Sequence, residues 1–467
     1  MSKLYRTESD SVGELEVEKE AYYGIQTLRA SKNFDITGSR MSRTFVKNIT
    51  LIKKAAATVN GEYGLLDAHK AAAIIYACDE VLAGKHTKDF IVDAVQGGAG
   101  TSANMNVNEV IANIAIEKLG GEKGDYSIIS PNDDVNMEQS TNDVIPTAGK
   151  LTVLKLSRAL IEELKKLHVA LEEKAVEFND VLKMGRTQLQ DAVPMRMGQA
   201  FHAFATAILR DINRIERNLT EMHVINMGGT AIGTAINAKK EYFDHITDKL
   251  SDLFGEPLQR AGDLFDGTQN VDCFVSVSGA LKACAVNLSK MCNDLRLMSS
   301  GPRTGLGEII LPAKQNGSSI MPGKVNPVIP EVVNQAAFLV IGHDVTITLA
   351  AEAGQLELNA FEPVIFYQIF ESISALRGAV TTLTENCIKG ITVNRERCEE
   401  WVNRSVGIVT ALNPYIGYKK AAEIAKESLK TGEPIKSIVL REKLLDEKTL
   451  NKVLNPVLLT EPFSDKD

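Results

Sequence analysis

The chain has 467 residues and a formal net charge of −8 at pH 7, with 44% hydrophobic and 6% aromatic residues. That length admits two or three domains around a large core. The negative balance argues against nucleic acid and anionic membranes as partners, and any anionic ligand needs a locally positive pocket. Six cysteines, Cys78, Cys273, Cys284, Cys292, Cys387 and Cys398, show neither a CxxC pair nor Cys/His metal spacing. They predict reduced, buried thiols in a cytoplasmic protein. The start, Met1-Ser2-Lys3-Leu4-Tyr5-Arg6, has no apolar leader core. No run approaches the uncharged apolar length of a membrane span. Ala, Leu, Val and Ile dominate over aromatics, which predicts a mainly helical protein.

Residues 1–45 are charged and irregular, interrupted by Ala21-Tyr22-Tyr23-Gly24-Ile25-Gln26-Thr27-Leu28-Arg29-Ala30. From residue type alone, Arg29 reads equally well as half of a surface salt bridge. Residues 46–95 alternate helical periodicity with short polar breaks. In Gln96-Gly97-Gly98-Ala99-Gly100-Thr101, glycines allow close backbone approach and Thr101 opens a helix. A helix start with free N–H groups and a hydroxyl suits an anion, and equally a plain threonine cap. Residues 120–142 read as a loop ending in Gln139-Ser140-Thr141-Asn142-Asp143, good cap material with Pro146 in the first turn.

A long helix follows. Val153, Leu156, Leu160, Leu164, Leu167, Leu171, Ala175 and Phe178 are spaced 3, 4, 4, 3, 4, 4, 3, a coiled-coil-like seam that places the helix in a bundle. His168 lies off the seam and reads as a surface residue. Then come Met184-Gly185-Arg186-Thr187-Gln188-Leu189-Gln190-Asp191-Ala192-Val193-Pro194, more helix, and the glycine-rich Asn226-Met227-Gly228-Gly229-Thr230-Ala231-Ile232-Gly233-Thr234-Ala235-Ile236-Asn237. The last lacks the lysine of a nucleotide loop. Residues 268–299 are apolar nearly all round, as at the centre of a bundle.

Residues 317–330 read Gly317-Ser318-Ser319-Ile320-Met321-Pro322-Gly323-Lys324-Val325-Asn326-Pro327-Val328-Ile329-Pro330. Three prolines and two glycines exclude a regular helix or strand. The loop feeds a helix over 331–358 with Pro330 at its first turn. Two hydroxyls, one ammonium and one amide with nothing anionic suit an anionic substrate, with a serine as reactant. The same residue types also fit a polar loop between helices. Another helix is predicted over 362–389, and 395–467 reads as shorter, charge-rich helical pieces.

The unbroken run from Gly317 to Pro327 resembles the signature of the class II fumarase/aspartase superfamily, whose members form fumarate by β-elimination from succinyl compounds. Its continuation, Val328-Ile329-Pro330-Glu331-Val332-Val333-Asn334-Gln335, and the Tyr22-Tyr23-Gly24 block resemble the aspartate ammonia-lyase branch. The blocks at Thr101, Ser140-Thr141-Asn142 and Gly185-Arg186-Thr187 also resemble the superfamily, and the likeness covers about 450 residues. It implies a mainly α, three-domain fumarase/aspartase-like fold, with a central long-helix bundle forming the core of a homotetramer. The expected domains are 1–140, 141–394 and 395–467.

The resemblance also implies roles. Ser318 is the catalytic base. Thr101, Ser140, Thr141 and Ser319 hold the β-carboxylate; Lys324, Asn326 and Thr187 hold the α-carboxylate; Asn142 and Gln188 face the leaving amine. The substrate implied is L-aspartate and the products are fumarate and ammonia, with sites shared between chains. No metal site and no required cofactor are implied, although Mg²⁺ activates some relatives. The alternatives are a class II fumarase, another amino-succinate lyase, or a crystallin-like scaffold. Fumarases carry His where Gln188 stands, and Ser318 and Lys324 argue against an inactive scaffold. Asp134 stands where relatives have His, Ala200 where Glu is common and Ala235 where Gly is common.

Overall fold

The computed structural model describes residues 4–317, 320–455 and 457–460. The chain opens with a hairpin, β1 (Tyr5–Asp10) and β2 (Gly13–Glu18). The helices α1 (Ile25–Asn33), α2 (Arg43–Glu62), α3 (Ala68–Leu82), α4 (Thr101–Lys118) and α5 (Thr141–Glu177) follow. A second hairpin, β3 (Leu182–Thr187) and β4 (Gln190–Arg196), precedes α6 (Met197–Asn218), α7 (Lys240–Phe254), α8 (Leu264–Gln269) and α9 (Asp272–Met298). Two more long helices, α10 (Val328–Glu352) and α11 (Glu362–Asn386), lead to α12 (Arg395–Arg404) and four short helices, α13 to α16, at Asn413–Ile416, Tyr418–Thr431, Ile435–Arg441 and Glu447–Val453. The protein is mainly α, as its composition predicts.

The chain forms two compact units. The first comprises Met1–Ile161, Asn213–Ala285 and Phe338–Arg377; the second comprises Glu162–Ile212, Val286–Ala337 and Gly378–Asp467. The first unit is built on α4, which is buried from Ala103 to Ile116, its polar residues included. Each of those polar side chains serves a segment around it. Asn106 accepts the N–H of Ile91 and donates to the Asp89 carbonyl. Asn113 donates to the Tyr22 carbonyl and accepts the Gly124 N–H. Glu109 accepts the N–H groups of Gly24, Gln26 and Thr27 and the Thr27 hydroxyl. A buried helix start has no water to satisfy its N–H groups, so one carboxylate closes the start of α1. On α2, Phe45, Ile49, Ile52, Ala56 and Val59 form the apolar stripe, and Lys53 beside them is also fully buried.

In the second unit, residues 406–454 pack around a small core of Val409, Leu412, Ile424, Ile438, Val439 and Leu450. The seam residues Leu164, Leu167, Leu171, Ala175 and Phe178 are buried, and so are Val153 and Leu160 on the first-unit part of α5. His168 is half-buried, with Nδ1 3.1 Å from the Ala205 carbonyl.

Three expectations need correction. First, α5 begins at Thr141, which puts Pro146 in its second turn rather than its first. Second, α9 buries only one stripe, Phe274, Val277, Leu281, Cys284, Leu288, Met291 and Leu295, while Val286 and Leu297 are exposed. Third, the seam on α5 is consumed by the chain's own core. The open apolar surface lies instead on α10, where Val332, Phe338, Leu339, Val345 and Leu349 are exposed. By length and composition α10 could cross a membrane, but it carries Asp344, whose carboxylate is bound by Lys282 Nζ (2.6 Å) and Ser278 Oγ (2.8 Å). All six cysteines are buried, and none is in a disulfide among the described residues.

Asp93 fixes the turn ahead of α4. Its carboxylate accepts the N–H groups of Ile36, Thr37, Gly38 and Val95 and the Thr37 hydroxyl. Burial works to raise its pKa, but these donors hold it below the ordinary carboxylate value. A depressed folded pKa stabilises the fold above the unfolded value, and the benefit is lost as pH falls through the folded one. Asp93→Asn should therefore lose about 1–3 kcal/mol at pH 7, with the deficit shrinking below pH ~4. Thermal unfolding at both pH values tests this; an equal deficit at each would contradict it.

Candidate active site

Two helix starts meet in the first unit. Before α4, Gly98 and Gly100 take left-handed backbone angles, and a Cβ on Gly100 would lie 2.7 Å from Ile145. That approach to α5 requires glycine. Gln96 Oε1 accepts the Ala103 N–H at 2.7 Å and caps α4, while its Nε2 donates to the Asp93 carbonyl. Thr101 is exposed at the first position, and its hydroxyl donates to the Gly98 carbonyl at 2.7 Å. To donate to a ligand it must rotate off that turn.

At the start of α5, Ser140 and Asp143 cap the helix reciprocally. Ser140 Oγ accepts the Asn142 N–H (3.2 Å), and the Asp143 carboxylate accepts the Ser140 N–H (3.0 Å). Pro146 brings no N–H to the helix, which strands the carbonyl four residues back, that of Asn142. Asn226 Nδ2 fills the gap and donates to that carbonyl at 3.0 Å. The glycine-rich turn is thereby docked on the helix start. Asp143 Oδ2 also accepts the N–H groups of Gly228 and Thr230, and Asn142 Nδ2 donates to the Ala231 carbonyl at 2.7 Å. That leaves Asn142 Oδ1 to accept. Ala235, where Gly is common, sits at φ 55, which explains the usual glycine.

Thr141 Oγ1 lies 3.2 Å from Asn104 Nδ2 on α4. It therefore accepts from the amide and keeps its own hydrogen free to donate outward. Ser140 has the same polarity, since its oxygen accepts the Asn142 N–H. Ser140, Thr141 and Asn142 are half-buried.

Lys53 lies behind this pole, bound to Asn136 Oδ1 (2.7 Å) and Gln139 Oε1 (3.0 Å). Burial pulls it down to about 7, opposed chiefly by Asp143. Burial pushes Asp143 up to about 7, opposed by the N–H groups of Ser140, Thr230 and Gly228 and by Lys53. The sequence reading missed Lys53, Asn104, Asn136 and Asn226. One signal was available for Lys53: it falls on the apolar stripe of α2.

Two open questions resolve as ion pairs. Arg29 binds Asp10 through Nε (3.1 Å) and Nη2 (2.9 Å). Asp134, in a π-turn at Pro131–Val135, is held by Lys70 at 2.8 Å and accepts the Ser130 N–H.

The second unit holds the remaining described candidates. Thr187 ends β3 and Gln188 opens the turn into β4, both exposed. Gln188 and Leu189 have φ of 53° and 65°, so neither central residue of this tight hairpin has the glycine or asparagine such a turn prefers. Below the hairpin, Arg186 Nη1 binds the fully buried Glu308 at 2.8 Å, with Lys183 Nζ 3.5 Å from its other oxygen. Lys324 and Asn326 are exposed on the loop before α10. A Cβ on Gly317 would lie 1.4 Å from the Lys324 carbonyl oxygen, so the loop folds back on itself there and admits only glycine. Ser318 and Ser319 lie outside the described residues.

Asn226→Ala should cost about 1–3 kcal/mol by stranding the Asn142 carbonyl. In a Pro146→Ala background the cost should fall, because the alanine supplies the N–H that proline lacks. Additive effects in unfolding measurements on the two single variants and the double would contradict this coupling. Leu189→Gly should raise stability by about 0.5–1 kcal/mol by relieving the left-handed backbone; an unchanged or lowered midpoint would show the turn to be unstrained.

Comparison with known proteins places the chain among lyases. Residues 13–342 match the family described as Lyase, and residues 408–461 match Fumarase C C-terminus. The chain is 54% identical over 462 residues to an aspartate ammonia-lyase from a Bacillus species, covering 99% of each. It superposes with a TM-score of 0.94 on a cobalt-bound fumarate lyase:delta crystallin from Brucella melitensis, at 50% identity, covering 98% of this chain and all of that one. A class II fumarase from Schistosoma mansoni gives a TM-score of 0.95 at 32% identity, with 98% of this chain and 100% of that chain covered. With whole-length identity of this order and a family match over most of its length, the chain belongs to the aspartate ammonia-lyases of the fumarase/aspartase superfamily.

Proposed function

We propose that the protein catalyses the reversible elimination of ammonia from L-aspartate to give fumarate. The observation that carries this reading is the pole where α4 and α5 begin. There the Ser140 and Thr141 oxygens accept from internal donors, which leaves their hydroxyl hydrogens free to donate to a ligand. Such neutral donors suit a carboxylate whose charge grows during reaction.

The proton leaves the carbon next to the β-carboxylate, so the intermediate is a doubly charged aci-carboxylate. Thr101, Ser140, Thr141 and Ser319 hold that group. Lys324, Asn326 and Thr187 hold the α-carboxylate. Asn142 Oδ1 and Gln188 face the amine. Ser318 as alkoxide takes the proton; the C–N bond then breaks, its electron pair leaves with ammonia, and the carbon–carbon double bond forms. The unperturbed serine pKa is far too high for this, and Lys324 with loop N–H groups lowers it. This reading requires no cofactor, and Mg²⁺ enters it only as the activator that some relatives use.

The enzyme is a homotetramer with shared sites in this reading. Helix α5 has 37 residues and so spans about 55 Å. Asn142 lies at its start and Thr187 beyond its end, yet both serve one small substrate. The exposed apolar residues of α10 supply surface for antiparallel packing of copies. Reduced thiols fit a cytoplasmic location.

Following fumarate by absorbance should show rapid release from L-aspartate and little from L-malate, because Gln188 is uncharged where fumarases carry His. D-Aspartate should not react. Comparable rates from malate and aspartate would favour the fumarase reading. Ser318→Ala should fold normally and retain under about a tenth of wild-type kcat, a loss above ~1.4 kcal/mol; greater retention would remove Ser318 as base.

A further inference from the structure

We propose that Lys53 is a positioning residue of the carboxylate pole, setting the direction of the hydrogen bonds that end at Thr141. This rests on the reading of Thr141 as a carboxylate ligand. In its charged form, which the nearby Asp143 favours, Lys53 can only donate, so Asn136 faces it with its oxygen. That oxygen accepts Lys53 Nζ at 2.7 Å, Asn104 Nδ2 at 3.1 Å and Asn108 Nδ2 at 3.3 Å. Asn136 Nδ2 is spent on the Gln139 carbonyl (3.1 Å). With Asn136 pinned, Asn104 must turn its NH₂ inward, and the second hydrogen of that group reaches Thr141 Oγ1 at 3.2 Å.

This orientation has a visible cost. Asn104 and Asn108 are 1% and 0% exposed, and their Oδ1 atoms are buried with no hydrogen-bond partner. A buried amide oxygen left unpaired is unfavourable, so unconstrained asparagines would turn to relieve it. Lys53 and the Gln139 carbonyl, which can only accept, together hold Asn136 against the turn. Without Lys53 only the Gln139 carbonyl opposes the turn; as Asn136 and Asn104 flip, Asn104 presents Oδ1 to Thr141, and the Thr141 hydroxyl donates inward instead of to the ligand. Lys53 thus governs a donor it never touches, from another helix, through two side-chain amides.

The test uses the reverse reaction with the intact enzyme, because it separates the dicarboxylate from the amine. Lys53→Met should raise the KM for fumarate about tenfold or more, the scale of one hydrogen bond to a charged group, and leave the KM for ammonium within about twofold. Asn104→Leu, which keeps the lysine but cuts its link to Thr141, should reproduce that split. The double variant should be little worse than either single one, because both break the same chain. A general loss of structure would move both KM values together. If Lys53→Met does not fold, Asn104→Leu alone carries the test. Variants that fold with both KM values at wild-type levels, or with both raised equally, overturn the assignment. A wild type that makes no aspartate from fumarate and ammonium would instead overturn the functional reading on which it stands.

Discussion

A helix start buried in protein must find acceptors for its free N–H groups, and this chain meets that demand with side chains from other elements. Glu109 serves α1, Gln96 serves α4, and Asp143 serves α5 together with the glycine-rich turn. Because those acceptors are internal, the hydroxyls of Ser140 and Thr141 are not needed as donors to the fold. They remain available at the surface of the pole, oriented by the groups behind them. The same requirement that stabilises the fold therefore leaves two hydroxyls available for the carboxylate of the proposed substrate.

Pro146 shows how closely the two are joined. In most helix interiors a proline is a defect. Here the carbonyl it strands is the attachment point for Asn226, and through it for the turn that fixes Asn142. The charge arrangement follows the same logic. A chain of net charge −8 places the fully buried Lys53 behind the pole proposed to receive an anion. That lysine is hydrogen-bonded to amide oxygens, and its chief opposing charge is the buried Asp143 carboxylate at the start of α5.

Much of this was legible in the sequence. The periodicity of α5, the start of α4 at Thr101, the loop ahead of α10 and the short C-terminal helices follow from residue pattern, although α10 runs from Val328 to Glu352 rather than over 331–358. The site blocks were visible because glycine, proline and short polar residues concentrate at helix starts. What escaped was long-range. The hairpin at Gln188-Leu189 carries none of the usual turn residues, so its geometry follows from packing around Arg186 and Glu308 rather than local preference. Asn104, Asn106 and Asn113 on α4 look like polar interruptions in sequence; they are buried because each answers a distant backbone group or side chain. The true start of α5 was hidden by Pro146, whose cost is offset by a residue about 80 positions away. The open apolar face of α10 could not be told from a core stripe, since both have the same composition.

The central claim is that one pole, formed by the starts of α4 and α5, binds the substrate while the base comes from a loop of another copy. Subunit complementation tests it most directly. Inactive Asn142→Ala and inactive Ser318→Ala chains are mixed, gently denatured and reassembled, and hybrids of verified composition are assayed for fumarate formation from L-aspartate. If the two residues belong to different copies, some hybrid sites carry neither substitution and activity partly returns. Hybrids that stay inactive, or a fully active monomer, would contradict the account.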